Sequence, residues 1–411
     1  MVQKMDRLHV LSLFSGCGGM DLGFEGGFRV HERCISPGAG GGKGKFAMLD
    51  RTAFDVVFAN DILEEAFVAW SRYFRRKGMY RRESVVDLVK AHRQGGDVFP
   101  SKVDVVTGGF PCQDFSLAGK RGGFLSHKDH RGRVIREEVA REETRGKLYF
   151  WMKEVIDITR PKVFIAENVR GLVNLSDAKE VIQRDFSSAD GGGYIVLSPR
   201  VLQAADYGVP QSRERVIFIG VRAAALNERA RAALSLETIP EAYDPYPRPT
   251  HAYSTAGEGL ARPVALKEIF ASLEEPEQST DPAQRSYSGA KYMGTHCQGQ
   301  REVDLESVGP TIRSEHHGNI EFRRLSAERG GKMAGELARG MIERRLTPRE
   351  CALIQTFPPD YPFVIPRPDR ARRFLLSPSA AYKIIGNAVP PLLAYRLARR
   401  LEEVWERYFG E

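Results

Sequence analysis

The sequence predicts an α/β fold: a mostly parallel sheet flanked by helices, with a second, smaller region placed late in the chain. Three observations carry this. Short Val- and Ile-rich runs end on glycine or acidic turns and alternate with helical segments, as buried parallel strands do. That alternation stops near residue 223, and Tyr243-Asp244-Pro245-Tyr246-Pro247-Arg248-Pro249 then sets prolines at alternate positions, which no helix or central strand tolerates. The 411 residues are 42% hydrophobic, enough for a large core and a smaller one.

Composition narrows the function classes. The formal net charge of +8 suits a polyanionic partner without identifying one. The five cysteines, Cys17, Cys34, Cys112, Cys297 and Cys351, are scattered and form no CxxC pair. That argues against a disulfide framework or a zinc ribbon and fits a reducing, cytoplasmic setting. No run approaches the ~20 apolar residues that span a bilayer, and the first residues lack a signal-peptide pattern. No membrane partner is expected.

Residues 8–14 read as the first strand. Ser15-Gly16-Cys17-Gly18-Gly19-Met20-Asp21 follows as a glycine-rich turn into a helix, a form that lets backbone approach a cofactor. It departs from the dinucleotide fingerprint, with Asp21 where the third glycine would stand. A tight strand–helix connection is the plain alternative. Within 32–50, Pro37-Gly38-Ala39-Gly40-Gly41-Gly42-Lys43-Gly44 reads as a flexible insertion and lacks the ending of a phosphate loop. A second strand, 54–61, ends in Asp61. An acid there accepts from ribose hydroxyls in nucleotide-binding sheets, or caps the helix that follows. A basic amphipathic helix is expected over 64–77.

The chain is organised around Gly108-Gly109-Phe110-Pro111-Cys112-Gln113-Asp114-Phe115-Ser116. Glycines and a proline force a sharp turn at a strand's carboxyl end, the edge where open α/β sheets bind ligands. A thiol there is a candidate nucleophile; a well-packed buried cysteine is the bland alternative. The charged stretch 126–144 reads as a solvated loop or surface helix, or else as a mobile lid with phosphate contacts. After a helix over 148–160, the strand 161–169 carries Glu167-Asn168 out of an apolar run, and a buried carboxylate needs a partner or a task. Residues 194–203 read as one further strand. The segment Gln211-Ser212-Arg213-Glu214-Arg215 puts both arginines on one side of an extended chain. His296, Cys297, His316 and His317 match no zinc spacing, so no metal is expected. Residues 345–358 read as a capped helix with a proline stop.

These pieces, in this order, resemble the C5-cytosine DNA methyltransferases. Residues 13–21 (Leu-Phe-Ser-Gly-Cys-Gly-Gly-Met-Asp) are similar to that family's S-adenosylmethionine loop, and Pro111-Cys112-Gln113-Asp114-Phe115-Ser116 to its active-site loop. Glu167-Asn168-Val169-Arg170-Gly171-Leu172, Gln211-Ser212-Arg213-Glu214-Arg215, Gly309-Pro310-Thr311-Ile312-Arg313 and Gly386-Asn387-Ala388-Val389-Pro390 match later motifs. The resemblance implies a Rossmann-like S-adenosylmethionine-dependent methyltransferase sheet with a smaller target-recognition domain. It implies a catalytic and cofactor domain over 1–222 completed by 380–411, target recognition over 223–344, and a connecting hinge over 345–379. The implied reaction moves a methyl group from S-adenosylmethionine to carbon 5 of cytosine in a short double-stranded DNA sequence, through a cysteine adduct on a flipped-out base.

By the same resemblance, Cys112 is the nucleophile, Glu167 holds the base's N3 and N4 edge, Arg213 makes the thiol's surroundings basic, and Arg215 supports the base or the carboxylate. Phe14, Ser15, Gly16, Gly18, Gly19, Asp61, Ile62, Asp87, Leu88, Gly109, Pro111, Leu148, Asn387 and Ala388 are the implied cofactor contacts. Gln113, Ser116, Asn168, Thr311 and Arg313 are the implied substrate contacts. Several positions depart from the family pattern: Asp61 replaces the usual Glu, Ile62 an aromatic residue, Gln203 an Asn, and the 126–144 stretch is longer. A monomer acting beside a restriction endonuclease is the implied setting. A tRNA methyltransferase on the same fold and a non-catalytic DNA-binding regulator are the alternatives. A dehydrogenase would leave Cys112 unexplained.

Overall fold

The computed structural model describes residues 7–35, 45–111, 126–128, 131, 134–139, 148–174, 177–289, 291–294, 300–314, 321–369 and 373–410. Strand β1 (Leu8–Leu13) runs through the glycine loop into helix α1 (Gly19–Glu25). An antiparallel pair, β2 (Arg29–His31) and β3 (Phe46–Met48), flanks the glycine-rich insertion. Then come β4 (Phe54–Asn60), α2 (Glu64–Phe74), β5 (Tyr80–Arg81) and α3 (Val85–Arg93). Strand β6 (Val105–Gly109) leads to the antiparallel pair β7 (Ser126–Lys128) and β8 (Val134–Val139), followed by α4 (Leu148–Thr159) and β9 (Val163–Val169). Strands β10 (Tyr194–Val196), β11 (Arg200–Gln203) and β12 (Glu214–Arg222) complete the large sheet.

Its order is β10-β12-β9-β6-β1-β4-β5, with β11 also on β12. Strands β5, β4, β1, β6 and β9 are parallel, whereas β12 is antiparallel to its neighbours. The chain moves outward from β1 to β4 and β5, then crosses back to β6 on the other side of β1. The switch point therefore lies between β1 and β6, where such sheets open a crevice at the strands' carboxyl ends.

Both faces of the sheet are covered, which is why its strands are apolar throughout. Successive side chains point to opposite faces, and the two apolar clusters divide accordingly. Val10, Val105 and Ile165 join the cluster that holds α1, α2 and the helix Pro391–Phe409, while Leu11, Val106 and Phe164 join the one that holds α3 and α4. Helix α1 packs tightly against Pro391–Phe409. A Cβ on Gly23 would lie 2.4 Å from the Ala394 Cβ and 2.5 Å from the Pro391 carbonyl oxygen.

Three expectations are corrected. The single strand expected over 194–203 is two, β10 and β11, pairing with opposite ends of β12 (Tyr194 with Arg222, Gln203 with Glu214). Pro199 lies in the break and has no N–H to extend the ladder. Within 126–144, the described residues include an antiparallel strand pair, neither a plain loop nor a surface helix. Helix α2 also ends earlier than expected, at Phe74, where Arg75 takes a left-handed conformation (φ 58°).

Between residues 223 and 377 the elements are short, including a three-stranded sheet of Arg301–Glu302, Glu321–Arg324 and Arg344–Arg345. Buried ion pairs knit it to its surroundings. Arg324 donates to Glu336 at 2.6 Å and Glu275 at 2.7 Å, and Arg344 donates to both carboxylate oxygens of Glu350 at 2.8 and 2.9 Å. Burial pushes the Glu275 carboxyl up, but Arg344 and Arg324 outweigh it and hold it below the usual range. Glu350 also closes a capping box. It accepts from the Thr347 amide at 2.8 Å, while Thr347 Oγ1 accepts from the Glu350 amide at 3.1 Å, starting the helix Pro348–Ile354. Glu350→Ala removes the box and half of Arg344's compensation. Its unfolding free energy should fall by about 3 kcal/mol, read from urea midpoints at unchanged slope.

Candidate active site

The crevice is built from strand ends. After Leu13 the chain turns through left-handed positions at Phe14 (φ 53°), Gly16 (φ 54°) and Gly18 (φ 82°). Phe14 is not a glycine, so its conformation is strained. A Cβ on Gly16 would meet nothing within 4 Å, so its open side faces the crevice. Asp61, just past β4, accepts from the Gly16 amide at 3.1 Å and from the Leu63 amide at 2.9 Å. It thus holds the glycine loop and the approach to α2 in one position.

The opposite wall comes from β6, β9 and β12. Their register sets Gly109 beside Glu167 and Arg215 beside Val169. A Cβ on Gly109 would come within 2.9 Å of the Glu167 carboxylate, which is the physical reason for glycine there. Glu167 is buried and accepts from Arg215 Nε at 2.6 Å. Burial pushes its carboxyl up; the charges of Arg215 and Arg213 pull it back, and burial wins. Asn168 donates from Nδ2 to the Phe110 carbonyl at 3.2 Å, bracing the turn that leads to Cys112.

Arg213 lies in the interior. It is 1% exposed, and its guanidinium donates to the carbonyls of Ile312 (2.8 Å), Gly386 (2.8 Å) and Ala388 (2.9 Å). Thr311 Oγ1 donates to the Ser212 carbonyl at 2.5 Å, and the Ile312 amide donates to Gln211 Oε1 at 2.9 Å. These bonds fasten the 309–313 segment to the entry of β12.

One cavity of about 790 Å³ joins these walls. Phe14, Ser15, Gly16, Gly19, Asp61, Ile62, Gly109, Pro111, Leu148, Asn387 and Ala388 line it, as do Glu167, Arg213, Arg215, Asn168, Thr311 and Arg313. Three expected cofactor residues are placed elsewhere. Gly18 packs under Trp70 and Phe74, where a Cβ would lie 2.7 Å from both side chains. Leu88 is buried in the α3–α4 cluster. Asp87 pairs with Arg131, a cavity-lining residue of the 126–144 stretch, at 2.8 and 3.0 Å. Cys112, Gln113 and Ser116 lie outside the described residues, as do His296, Cys297, His316 and His317. Sequence reasoning missed Ser12, Asn60, Ser84, Arg170 and Lys383, which also line the cavity. For Ser12 and Asn60 a signal existed: each is a polar residue near the end of an apolar strand. Among the described residues, no cluster of metal-binding side chains occurs, and no helix is long and apolar enough to cross a membrane.

Comparison with known proteins decides what this crevice belongs to. The family model for C-5 cytosine-specific DNA methylase matches residues 8–403. The chain belongs to that family. It is 31% identical to the type II methyltransferase M.BsuRI of Bacillus subtilis, covering 96% of this chain and 79% of that one. It is 30% identical to the type II methyltransferase M.BspRI of Lysinibacillus sphaericus, covering 99% and 84%. Its fold is similar to the solved S. pombe Dnmt2 methyltransferase, with a TM-score of 0.56 at 15% identity, covering 96% and 99%. At that identity the likeness concerns the fold alone.

The methyltransferase takes its methyl group from S-adenosylmethionine and is a DNA cytosine-5 methyltransferase. The crevice fits that cofactor: the open side of Gly16 leaves room for close backbone approach, and the Asp61 carboxylate stands at the carboxyl end of β4. Asp61→Ala should raise the Kd for S-adenosylmethionine by about tenfold or more in calorimetry, the loss of a hydrogen bond to a charged group. Glu167 gives a pH test. A carboxyl raised by burial costs the fold nothing when protonated and most when ionised. The thermal midpoint of Glu167→Gln should therefore exceed that of the wild type at alkaline pH. The gap should close as pH falls to the ordinary carboxylate value of 4.5.

Proposed function

We propose that this methyltransferase modifies one cytosine within a short, specific duplex sequence, on a base turned out of the stack, as the modification enzyme paired with a restriction endonuclease. The observation that carries the chemistry is the buried Glu167–Arg215 pair facing Gly109 across adjacent strands, three residues before Cys112 in the chain. The type II names of its relatives support the pairing.

Carbon 5 of cytosine is a poor nucleophile inside an aromatic ring. Addition of the Cys112 thiolate to carbon 6 gives carbon 5 enamine character. Glu167, held above the ordinary carboxylate range, can keep a proton for N3 and accept from the N4 amine, so the electrons pushed into the ring have a place to go. Arg215 fixes that carboxyl in place. Arg213 adds positive charge behind it, favouring a thiolate nearby. Bound S-adenosylmethionine supplies an electrophilic methyl group. Loss of the carbon 5 proton and departure of Cys112 restore the ring. Turning the base out costs about a few kcal/mol, and phosphate contacts offset this in a salt-dependent way.

In this reading residues 1–222 with 380–411 form the catalytic and cofactor domain, 223–344 read the target, and 345–379 connect them. Gln113, Ser116, Thr311 and Arg313 contact the DNA. The enzyme acts as a cytoplasmic monomer. The test is bisulfite sequencing of DNA from a methylation-free bacterial host expressing the chain, beside Cys112→Ala and Glu167→Gln. Protection should appear at one recurrent sequence, vanish with Cys112→Ala, and slow by about a hundredfold or more with Glu167→Gln. Soluble, cofactor-binding protein that protects no cytosine in DNA would overturn the reading and send the same assay to host RNA.

A further inference from the structure

Asp21 occupies the place where a nucleotide-binding turn would carry its third glycine, and its side chain is buried. Both carboxylate oxygens are engaged. Ser12 Oγ donates to one at 2.5 Å, and Trp70 Nε1 donates to the other at 2.7 Å. Ser12 in turn accepts from Ser15 Oγ at 2.8 Å, and the Ser15 oxygen accepts from the Asn60 amide at 3.1 Å. The result is a relay of hydroxyls under the glycine loop whose donors all point toward the acid, with the Ser12 carbonyl a second acceptor for Ser15 at 3.1 Å. Ser12, Ser15 and Asn60 all line the cofactor cavity.

The charge balance of this acid is unusual. Around it stand Glu25 on its own helix, Cys17 in the loop, Tyr80 on β5 and Tyr361, all acids or weak acids. Arg76 is bound to Glu25 at 2.6 Å. Burial, opposed by the Ser12 and Trp70 hydrogen bonds, pushes the Asp21 carboxyl up to about 7. An ionised acid kept in such a place costs stability. Asparagine would fill the same space, with its oxygen accepting from Trp70 and its amide donating to Ser12. The geometry makes sense if a positive charge arrives with the ligand.

The ligand has one. The methyl donor carries a fixed positive charge on sulfur, and the product left after transfer is a neutral thioether. Asp61 follows β4 and the Cys112 turn follows β6, so the sulfur between the ribose and the target base belongs over the end of β1, where Ser12 and Ser15 sit. We propose that Asp21 is a positioning residue that reads the charge on that sulfur: its carboxylate, acting through Ser12, favours the cationic donor over the neutral product and so speeds exchange of one for the other. This rests on the cofactor assignment and goes beyond it. Binding also acts in reverse, because a ligand that prefers ionised Asp21 must draw its proton off.

The test compares Kd values for S-adenosylmethionine and S-adenosylhomocysteine by calorimetry, in wild type and Asp21→Asn, one pH unit below and one above about 7. The ligands' own ionisable groups, and Glu167 in the cavity lining, are the same in wild type and Asp21→Asn, so the difference between the two proteins isolates Asp21. In the wild type, preference for the donor should grow by about fivefold across that interval for one unit of coupling; in Asp21→Asn the growth should be markedly smaller. A second readout needs no variant. The Trp70 indole N–H, assigned in nuclear magnetic resonance spectra with Trp70→Phe, should titrate near 7 in ligand-free protein. Its midpoint should move down with the donor and stay with the product. A flat ratio in the wild type, a full pH dependence retained by Asp21→Asn, or a Trp70 midpoint indifferent to the donor would overturn the proposal while leaving the cofactor assignment intact. Failure of the wild type to bind either ligand would overturn both.

Discussion

The arrangement depends on one side chain. Arg213 sends its guanidinium to the carbonyls of Ile312, Gly386 and Ala388, which lie far from it in sequence and belong to two further segments. A planar fork of fixed donors suits this use, since it can satisfy several carbonyls at once. The entry to β12, the end of the region beyond residue 222 and the segment carrying Asn387 meet at this point. Gln211 repeats the arrangement two residues earlier, receiving the Ile312 amide and donating to Gln355 at 3.0 Å. Bonds that are both buried and long-range give the crevice a rigid wall opposite its glycine loop.

Against that wall, Glu167 and Asp61 illustrate two ways of holding a carboxylate. Asp61 is stabilised as an anion by two backbone amides and stays open to the cavity. Glu167 is buried beside two arginines, and burial still prevails. One acid is suited to receiving hydroxyls, the other to handling a proton. The difference arises from depth in the sheet edge and not from residue type.

Much of this was legible in the sequence, for identifiable reasons. Strand ends are readable because apolar runs stop abruptly, so Asp61, Gly109 and Glu167 announced themselves as polar or glycine residues at buried edges. The capped helix after Thr347 was readable because its cap is local. What could not be read were partners distant in the chain. Nothing near Arg213 shows that it binds carbonyls 99 and 173 residues away. Gly16 and Gly18 look alike in sequence, yet one faces open space and the other lies under Trp70. The break between β10 and β11 was marked by Pro199, but the length of the apolar run masked it. The pairing of Asp87 with Arg131 could not be read either, because Arg131 lies in a stretch whose folding no local pattern revealed.

The cavity draws its lining from Ser12–Met20 near one end of the sequence and from Lys383–Val389 near the other. During synthesis, a ribosome that has not yet passed residue 389 has made the sheet, the Glu167–Arg215 pair and the glycine loop without completing the pocket. The cavity is complete only when both segments are in place. A chain stopped short of Lys383 would therefore lack one wall of that cavity.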